Sequence, residues 1–258
     1  LWLTAMREGS REHHAEYRCK ANDGEIRWFR DDVSIEPAGK DEWLIVSVTT
    51  DITERERVAQ TEAVLAEVLE AAHDASTDYE MYERIHKSLA GLLDMTAFAV
   101  ALVDPDQEDA FVFPYWADES GPVSIDEPIT IPRSRTAVVA RARHTLYITA
   151  AQSQERAAAG DIDLHGAHPA AWLGTPLIVE DRLLGVLRVM NHAHADPYTA
   201  REVDIITYVA QQVAIAIDRR AAHSALRAEQ RIFQSIMDSV PDTIYVKDRE
   251  SRFVRINE

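Results

Sequence analysis

Apolar and polar positions alternate along this chain in two rhythms. Between residues 13 and 50 the rhythm is short and strand-like. Ala15–Cys19 is brief and mixed, Glu25–Ile35 sets Ile26, Trp28 and Val33 among polar neighbours, and Trp43–Thr49 is almost wholly apolar or β-branched. Asn22-Asp23-Gly24 and Pro37–Asp41 supply the turns between them, because Asn, Asp and Gly tolerate positive φ and Pro presets its own. Three such strands bury little by themselves. With Leu1–Arg7 read as the tail of a helix, residues 1–51 are expected to be the second half of a sheet domain.

From residue 52 the rhythm lengthens to three and four. Thr53 and Glu56 have capping-box spacing, and Val58, Thr61, Leu65, Val68 and Ala72 form a weak heptad seam over a linker helix at 52–75. Thr77 and Glu80 open another helix, with Met81, Ile85, Leu89 and Leu92 as its inner face. Ala97–Val103 and Phe111–Trp116 read as paired strands, and the acidic, proline-bearing stretch 117–132 as a loop. Ser134 caps a short helix ending near Arg143, Leu146–Thr149 is a short strand, and 150–170 reads as a long irregular loop of the kind that often has a binding role, the alternative being one more helical turn at Glu155–Ala159. Leu173–Val179 and Leu183–Val189 flank a tight turn. The clearest element is a helix entered through a Thr199–Glu202 capping box with Tyr198 and Val203 as its staple. Val203, Ile205, Ile206, Val209, Ala210, Val213 and Ile217 line its apolar face. It is expected to run to about Ser239 and stop at Pro241, with 220–240 as a second linker. Ile244–Val246 and Phe253–Ile256 then open a further sheet in 241–258.

At three places the residues resemble known families. Residues 16–57 resemble the C-terminal half of a PAS domain through Glu16-Tyr17-Arg18, Asp23-Gly24, Arg27-Trp28 and Asp51-Ile52-Thr53-Glu54-Arg55. Residues 76–219 resemble a GAF domain through Trp172-Leu173-Gly174-Thr175-Pro176-Leu177, Asp181-Arg182, Leu184-Gly185-Val186-Leu187, Tyr198-Thr199, Val209-Ala210-Gln211-Gln212-Val213-Ala214 and Ile217. Residues 231–258 resemble the opening of a second PAS domain through Ile236, Ser239, Val240-Pro241-Asp242, Ile244, Lys247-Asp248 and Asn257. The resemblance implies an α+β chain: a central antiparallel-sheet GAF-like domain flanked by long helices, with partial PAS-like sheets at both ends. It also implies a bacterial sensor protein whose parent ends in a histidine kinase or a diguanylate cyclase.

Composition narrows the partners. A formal charge of -17 repels nucleic acid and acidic membrane surfaces, and no apolar run is long enough to span a bilayer. No secretory signal is evident, and the single cysteine, Cys19, excludes an internal disulfide framework. A cytoplasmic setting is expected.

The search for chemistry finds no catalytic motif. No Gly-rich phosphate loop is present, and no serine or cysteine has nucleophile-elbow context. His223 lacks the sequence that follows a kinase phosphoacceptor. His13-His14, His165/His168 and His192/His194 lack the three or four convergent ligands of a metal site; His192 and His194, just before Asp196 on a turn, read as solvated loop histidines, with a surface metal as the alternative. The segment is therefore expected not to be an enzyme and to hold no metal, and no cofactor is named.

A ligand pocket is expected from Phe98, Phe113, Tyr115, Tyr147, His168, Trp172 and Arg188, since GAF domains generally bind between the sheet and the loop–helix side. Phe98, Phe113 and Trp172 equally suit a filled core, and Arg188 a surface salt pair. A bilin is disfavoured because 76–219 holds no cysteine, and a cyclic nucleotide because Asn191-His192 has His where that signature has Lys. The expected function is a sensory relay that takes up a small molecule and transmits through its helices to an adjacent output domain, as a homodimer paired through 52–72 and 200–238. The alternatives are a ligand-free dimerisation spacer and a haem or metal sensor.

Overall fold

The computed structural model describes residues 12–22, 26–39, 42–164, 168–239 and 245–256, and the chain divides into two compact units between Ala66 and Glu67. The expected features at Leu1–Arg7, Asp23-Gly24, Asp41, His165, Pro241 and Asn257 lie outside the described residues.

The first unit holds strands β1 (Glu12–Lys20), β2 (Ile26–Gly39) and β3 (Glu42–Asp51) in an antiparallel sheet of that order. Val33 and Ile35 are its buried apolar pair, with Ile45 packed against them. Helix α1 (Thr53–Asp74) leaves directly from β3. The expected Thr53–Glu56 capping box does not form. Instead the Thr53 hydroxyl accepts from the Trp28 backbone N–H (3.0 Å) and donates to Asp51 Oδ1 (2.5 Å), which also accepts from the Thr53 N–H (2.9 Å). The reason is positional: Thr53 already lies within the first helical turn, so its hydroxyl reaches back to β2, and the Glu56 carboxylate meets Arg55 instead.

The second unit contains β4 (Ala97–Val103), β5 (Ala110–Asp118), β6 (Gly121–Thr130), β7 (Leu146–Thr149), β8 (Ala171–Val179) and β9 (Arg182–Asn191). They form one sheet in the order β6-β5-β4-β9-β8-β7, every neighbouring pair antiparallel. Helices α2 (Asp78–Ala90), α3 (Arg135–Ala142), α4 (Ala150–Ala158) and α5 (Ala200–Ser239) accompany it, and β10 (Tyr245–Lys247) and β11 (Phe253–Ile256) make a separate hairpin.

Three expectations change. Residues 117–132 contain strand β6 rather than only a loop. As the outer strand it pairs on one side alone, which accommodates Pro122 and Pro128, and its pairing with β5 is interrupted twice. The stretch 150–170 is helical over Ala150–Ala158, because Thr149 and Gln152 form a reciprocal capping box. On α2, Met81, Ile85 and Leu89 are buried as expected, but Leu93 rather than Leu92 continues the core. The helix ends at Ala90, so its spacing no longer applies beyond that point.

Helix α5 is entered through Thr199, whose backbone N–H is accepted by Glu202 Oε2 at 2.8 Å. Ile206, Val209, Ala210, Val213 and Ala214 are fully buried and the helix packs on β8 and β9. Arg219 and Arg220 fasten it to the end of α1: Arg219 Nη2 donates to the Ala72 carbonyl (3.1 Å) and Arg220 Nη1 to the Ala75 carbonyl (2.6 Å). Those carbonyls are orphans of a helix C-terminus and gain charged donors there.

Candidate functional site

The strands of the second unit present two different faces. On one, Phe98 stacks on His86 of α2 (5.3 Å between centroids), and the His86 Nδ1 is 2.9 Å from the Tyr115 hydroxyl. On the other, Phe111, Phe113, Trp172, Val186 and Met190 form a buried cluster with Ala137, Val139 and Ala140 of α3. Strict alternation would put Phe113 and Tyr115 on the same side. A bulge prevents this. Val100 pairs with Tyr115 and Leu102 with Val112, so β5 carries one residue more than β4 in this interval. Pro114, which has no N–H to give the ladder, sits inside it. Phe113 and Trp116 therefore share the α3 side, while Tyr115 turns to α2.

Between that side of the sheet and the start of α3 lies a cavity of about 340 Å³. Phe113, Trp116, Trp172, Ile129, Ile131 and Met190 give it apolar walls, and Arg188, Arg135, Thr136, Asp118, Asp163 and His192 supply polar groups. Arg188 stands between small cross-strand partners, Ala99 on β4 and Gly174 on β8. Gly174 has to lack a side chain, because a Cβ there would lie 2.3 Å from the Trp172 ring.

The charge balance of the cavity is unusual. Arg188 is only 7% exposed. Its Nη1 donates to Thr136 Oγ1 (3.1 Å), and its guanidinium lies 4.7 Å from the Phe113 centroid and 4.5 Å from that of Trp116. Its Nε and Nη2 are buried without an acceptor, as is Nη2 of Arg135, whose Nε donates to Ser153 Oγ on α4 (3.3 Å). Burial, with Arg135 adding to it, pushes the Arg188 guanidinium down to about 9; burial also lowers Arg135. The acidic groups are engaged elsewhere: Asp118 accepts from Trp116 Nε1 (3.3 Å) and the Ser120 N–H (2.8 Å), and Asp163 from Arg133 Nε (3.0 Å).

Residues 75–218 match the GAF domain family, more than half of the chain. The chain belongs to the GAF family. Solved structures agree on the fold. The GAF domain of a phosphoenolpyruvate-protein phosphotransferase from Coxiella burnetii superposes with a TM-score of 0.53 at 14% identity, covering 65% of this chain and 98% of that one. The corresponding Acinetobacter domain gives 0.52 at 10%, covering 65% and 95%. The free methionine-R-sulfoxide reductase from Neisseria meningitidis, solved in complex with its substrate, gives 0.52 at 16%, covering 64% and 93%. No curated protein matches in sequence. The reductase corrects one expectation. An enzyme is built on this GAF fold, so the lack of a recognisable motif does not exclude catalysis.

Of the seven residues expected to form the pocket, Phe113, Trp172 and Arg188 come together at the cavity. Phe98 and Tyr115 lie on the α2 side. Tyr147 pairs with Leu173, one step out of phase with Trp172, and its hydroxyl donates to Asp196 (2.6 Å). His168 is exposed. The alternative of a surface salt pair for Arg188 does not fit its burial. Asn191 shapes a loop, its side-chain oxygen accepting from the backbone of Ala193 and His194 at 2.8 Å each. Trp116, Arg135 and Thr136 were not anticipated. Their only signal was a bulge-prone proline beside Trp116 and the position of Arg135 and Thr136 just after the Ser134 cap. Among the described residues no helix is long and apolar enough to cross a membrane.

Proposed function

We propose that the GAF unit is the ligand-sensing element of a cytoplasmic signalling protein. A small molecule occupies the cavity beneath α3, and its presence is passed through the sheet to α5 and so to an adjacent output domain. The observation that carries this reading is the cavity of about 340 Å³ lined by a buried arginine whose Nε and Nη2 have no acceptor. Such a group is costly to keep without a partner, and pockets with apolar walls and a few convergent polar groups suit small ligands.

The relay has a short path. Trp172 and Leu173 are neighbours on β8: one faces the cavity, the other is buried in the opposite layer. Strand β8 packs on α5, which Arg219 and Arg220 fasten to the end of α1. Packed elements of this kind shift as bodies rather than deform smoothly.

In the same reading the β1–β3 sheet is the closing part of a PAS-like unit and β10–β11 the opening of another. Between residues 221 and 235 the helix α5 is exposed on nearly every side, with Leu226 at 52% and Phe233 at 43% exposure. These two side chains lie one heptad apart, and a second copy of the chain is the partner proposed for that face; sedimentation showing only monomer at high concentration would remove this part.

Hydrogen exchange tests the relay. Adding a ligand found by thermal-shift screening of small metabolites should alter amide exchange in α5 between 205 and 235, and Ala97→Phe, which fills the cavity, should abolish both the shift and the exchange change. Ligand binding with unaltered α5 exchange would leave the relay without support.

A further inference from the structure

We propose, resting on the cavity being a ligand site, that its ligand is a small monocarboxylate with a flat or compact apolar body, its carboxylate held in the fork of Arg188. The argument begins with which donors are vacant. In a guanidinium, Nε–H and one N–H of Nη2 lie parallel along one edge and form the fork that takes both oxygens of a carboxylate. Those are the two Arg188 nitrogens left without an acceptor, while the opposite tip, Nη1, is already committed to Thr136. Arg135, which also lines the cavity, carries a third vacant donor, its buried Nη2. Three unsatisfied donors suit the few acceptor sites of one carboxylate.

A phosphate group fits less well. It brings more oxygens and more charge than these donors can satisfy, and the remaining walls are aromatic and aliphatic. Asp118 and Asp163 also line the cavity and would oppose a dianion. The rings of Phe113 and Trp116 pack against the guanidinium, their centroids 4.7 and 4.5 Å from its central carbon. The same rings, with Trp172 and Met190, give the ligand body an apolar bed. A cavity of about 340 Å³ accommodates an acid of one ring or a short chain.

The test uses the full chain and two matched probes, 3-phenylpropionate and its neutral amide, 3-phenylpropanamide, titrated calorimetrically with inorganic phosphate as competitor. The acid should bind at least about tenfold more tightly than the amide, as expected for a charge-assisted pair. In Arg188→Gln that preference should vanish. Arg188→Lys, which keeps the charge and loses the fork, should retain only part of it and guards against misreading a folding defect. Phosphate in excess should not compete. Equal affinity for acid and amide in the unaltered chain would overturn the carboxylate assignment and leave the cavity as a ligand site. Competition by phosphate would overturn it in favour of a general anion site. Binding of neither probe, with Ala97→Phe indistinguishable from the unaltered chain, would overturn both.

Discussion

Replacing Arg188 by methionine should stabilise the empty protein, an unusual expectation for a core substitution. The arginine is buried, and burial pushes its guanidinium well below the ordinary arginine range, to about 9. That difference corresponds to roughly 5 kcal/mol of disfavoured charge in the fold. Contacts with the Phe113 and Trp116 rings return about 1–2 kcal/mol, and the bond to Thr136 about 1 kcal/mol. The balance favours the Arg188→Met variant by about 2 kcal/mol, in line with the behaviour of buried ionic groups replaced by apolar ones. For a chain of this size that is about 4–8 °C in Tm. The sign with pH follows. Because the folded value lies below the unfolded one, the penalty is complete below about pH 9 and recedes as pH rises from there toward the ordinary arginine range. Arg135, Asp118, Asp163 and His192 also line this cavity and stay unchanged in the comparison. Urea denaturation of both proteins at pH 7 and at pH 10 measures the effect: the variant should be more stable at pH 7, and the gap should narrow at pH 10. A variant less stable than the unaltered chain by more than about 1 kcal/mol at pH 7 would show that Arg188 is a satisfied structural residue.

Three further outcomes follow from the same contacts. Gly185→Ala should destabilise the GAF unit by about 3 kcal/mol or more, seen as a fall in Tm, because the new Cβ would lie 2.1 Å from the Ala101 backbone oxygen in the neighbouring strand; an unchanged Tm would contradict the close strand approach. Thr53→Val should weaken the start of α1 by about 1–2 kcal/mol and speed hydrogen exchange of the Trp28 amide, which loses its hydroxyl acceptor. Burial, and then Lys87, hold His86 below the usual histidine range against the opposing Glu83. Its stabilising share is therefore present above the ordinary histidine pKa and lost as pH falls through the lower folded value, so His86→Gln should flatten the fall in Tm between pH 7 and 5, and an equal fall in both proteins would refute this.

Periodicity made much of this molecule legible. Ala97–Val103 is an uninterrupted apolar run between Thr96 and Asp104, and Thr199 with Glu202 announces α5, so both elements fall where the pattern puts them. Pro122 and Pro128 concealed β6, because a proline argues against a strand unless that strand lies at an edge, and edge position is a tertiary fact. The site was legible only in part for a related reason. Trp172 and Arg188 stand on regular strands and keep their phase, but the bulge at Pro114 reverses β5, bringing Trp116 to the cavity and sending Tyr115 away. Tyr147 was misplaced by one step of register on β7. An arginine within Leu183–Val189 was itself a signal. Its meaning depended on whether a carboxylate stood opposite, and strand pairing supplies Ala99 and Gly174 there.

Nitrogen-edited NMR of the arginine side chains bears most directly on the cavity as a ligand site. On titration with 3-phenylpropionate, the Arg188 Nε–H resonance should move downfield and its exchange with water should slow, while arginines outside the cavity such as Arg252 stay unchanged. An Arg188 resonance unaffected by saturating probe would contradict the account.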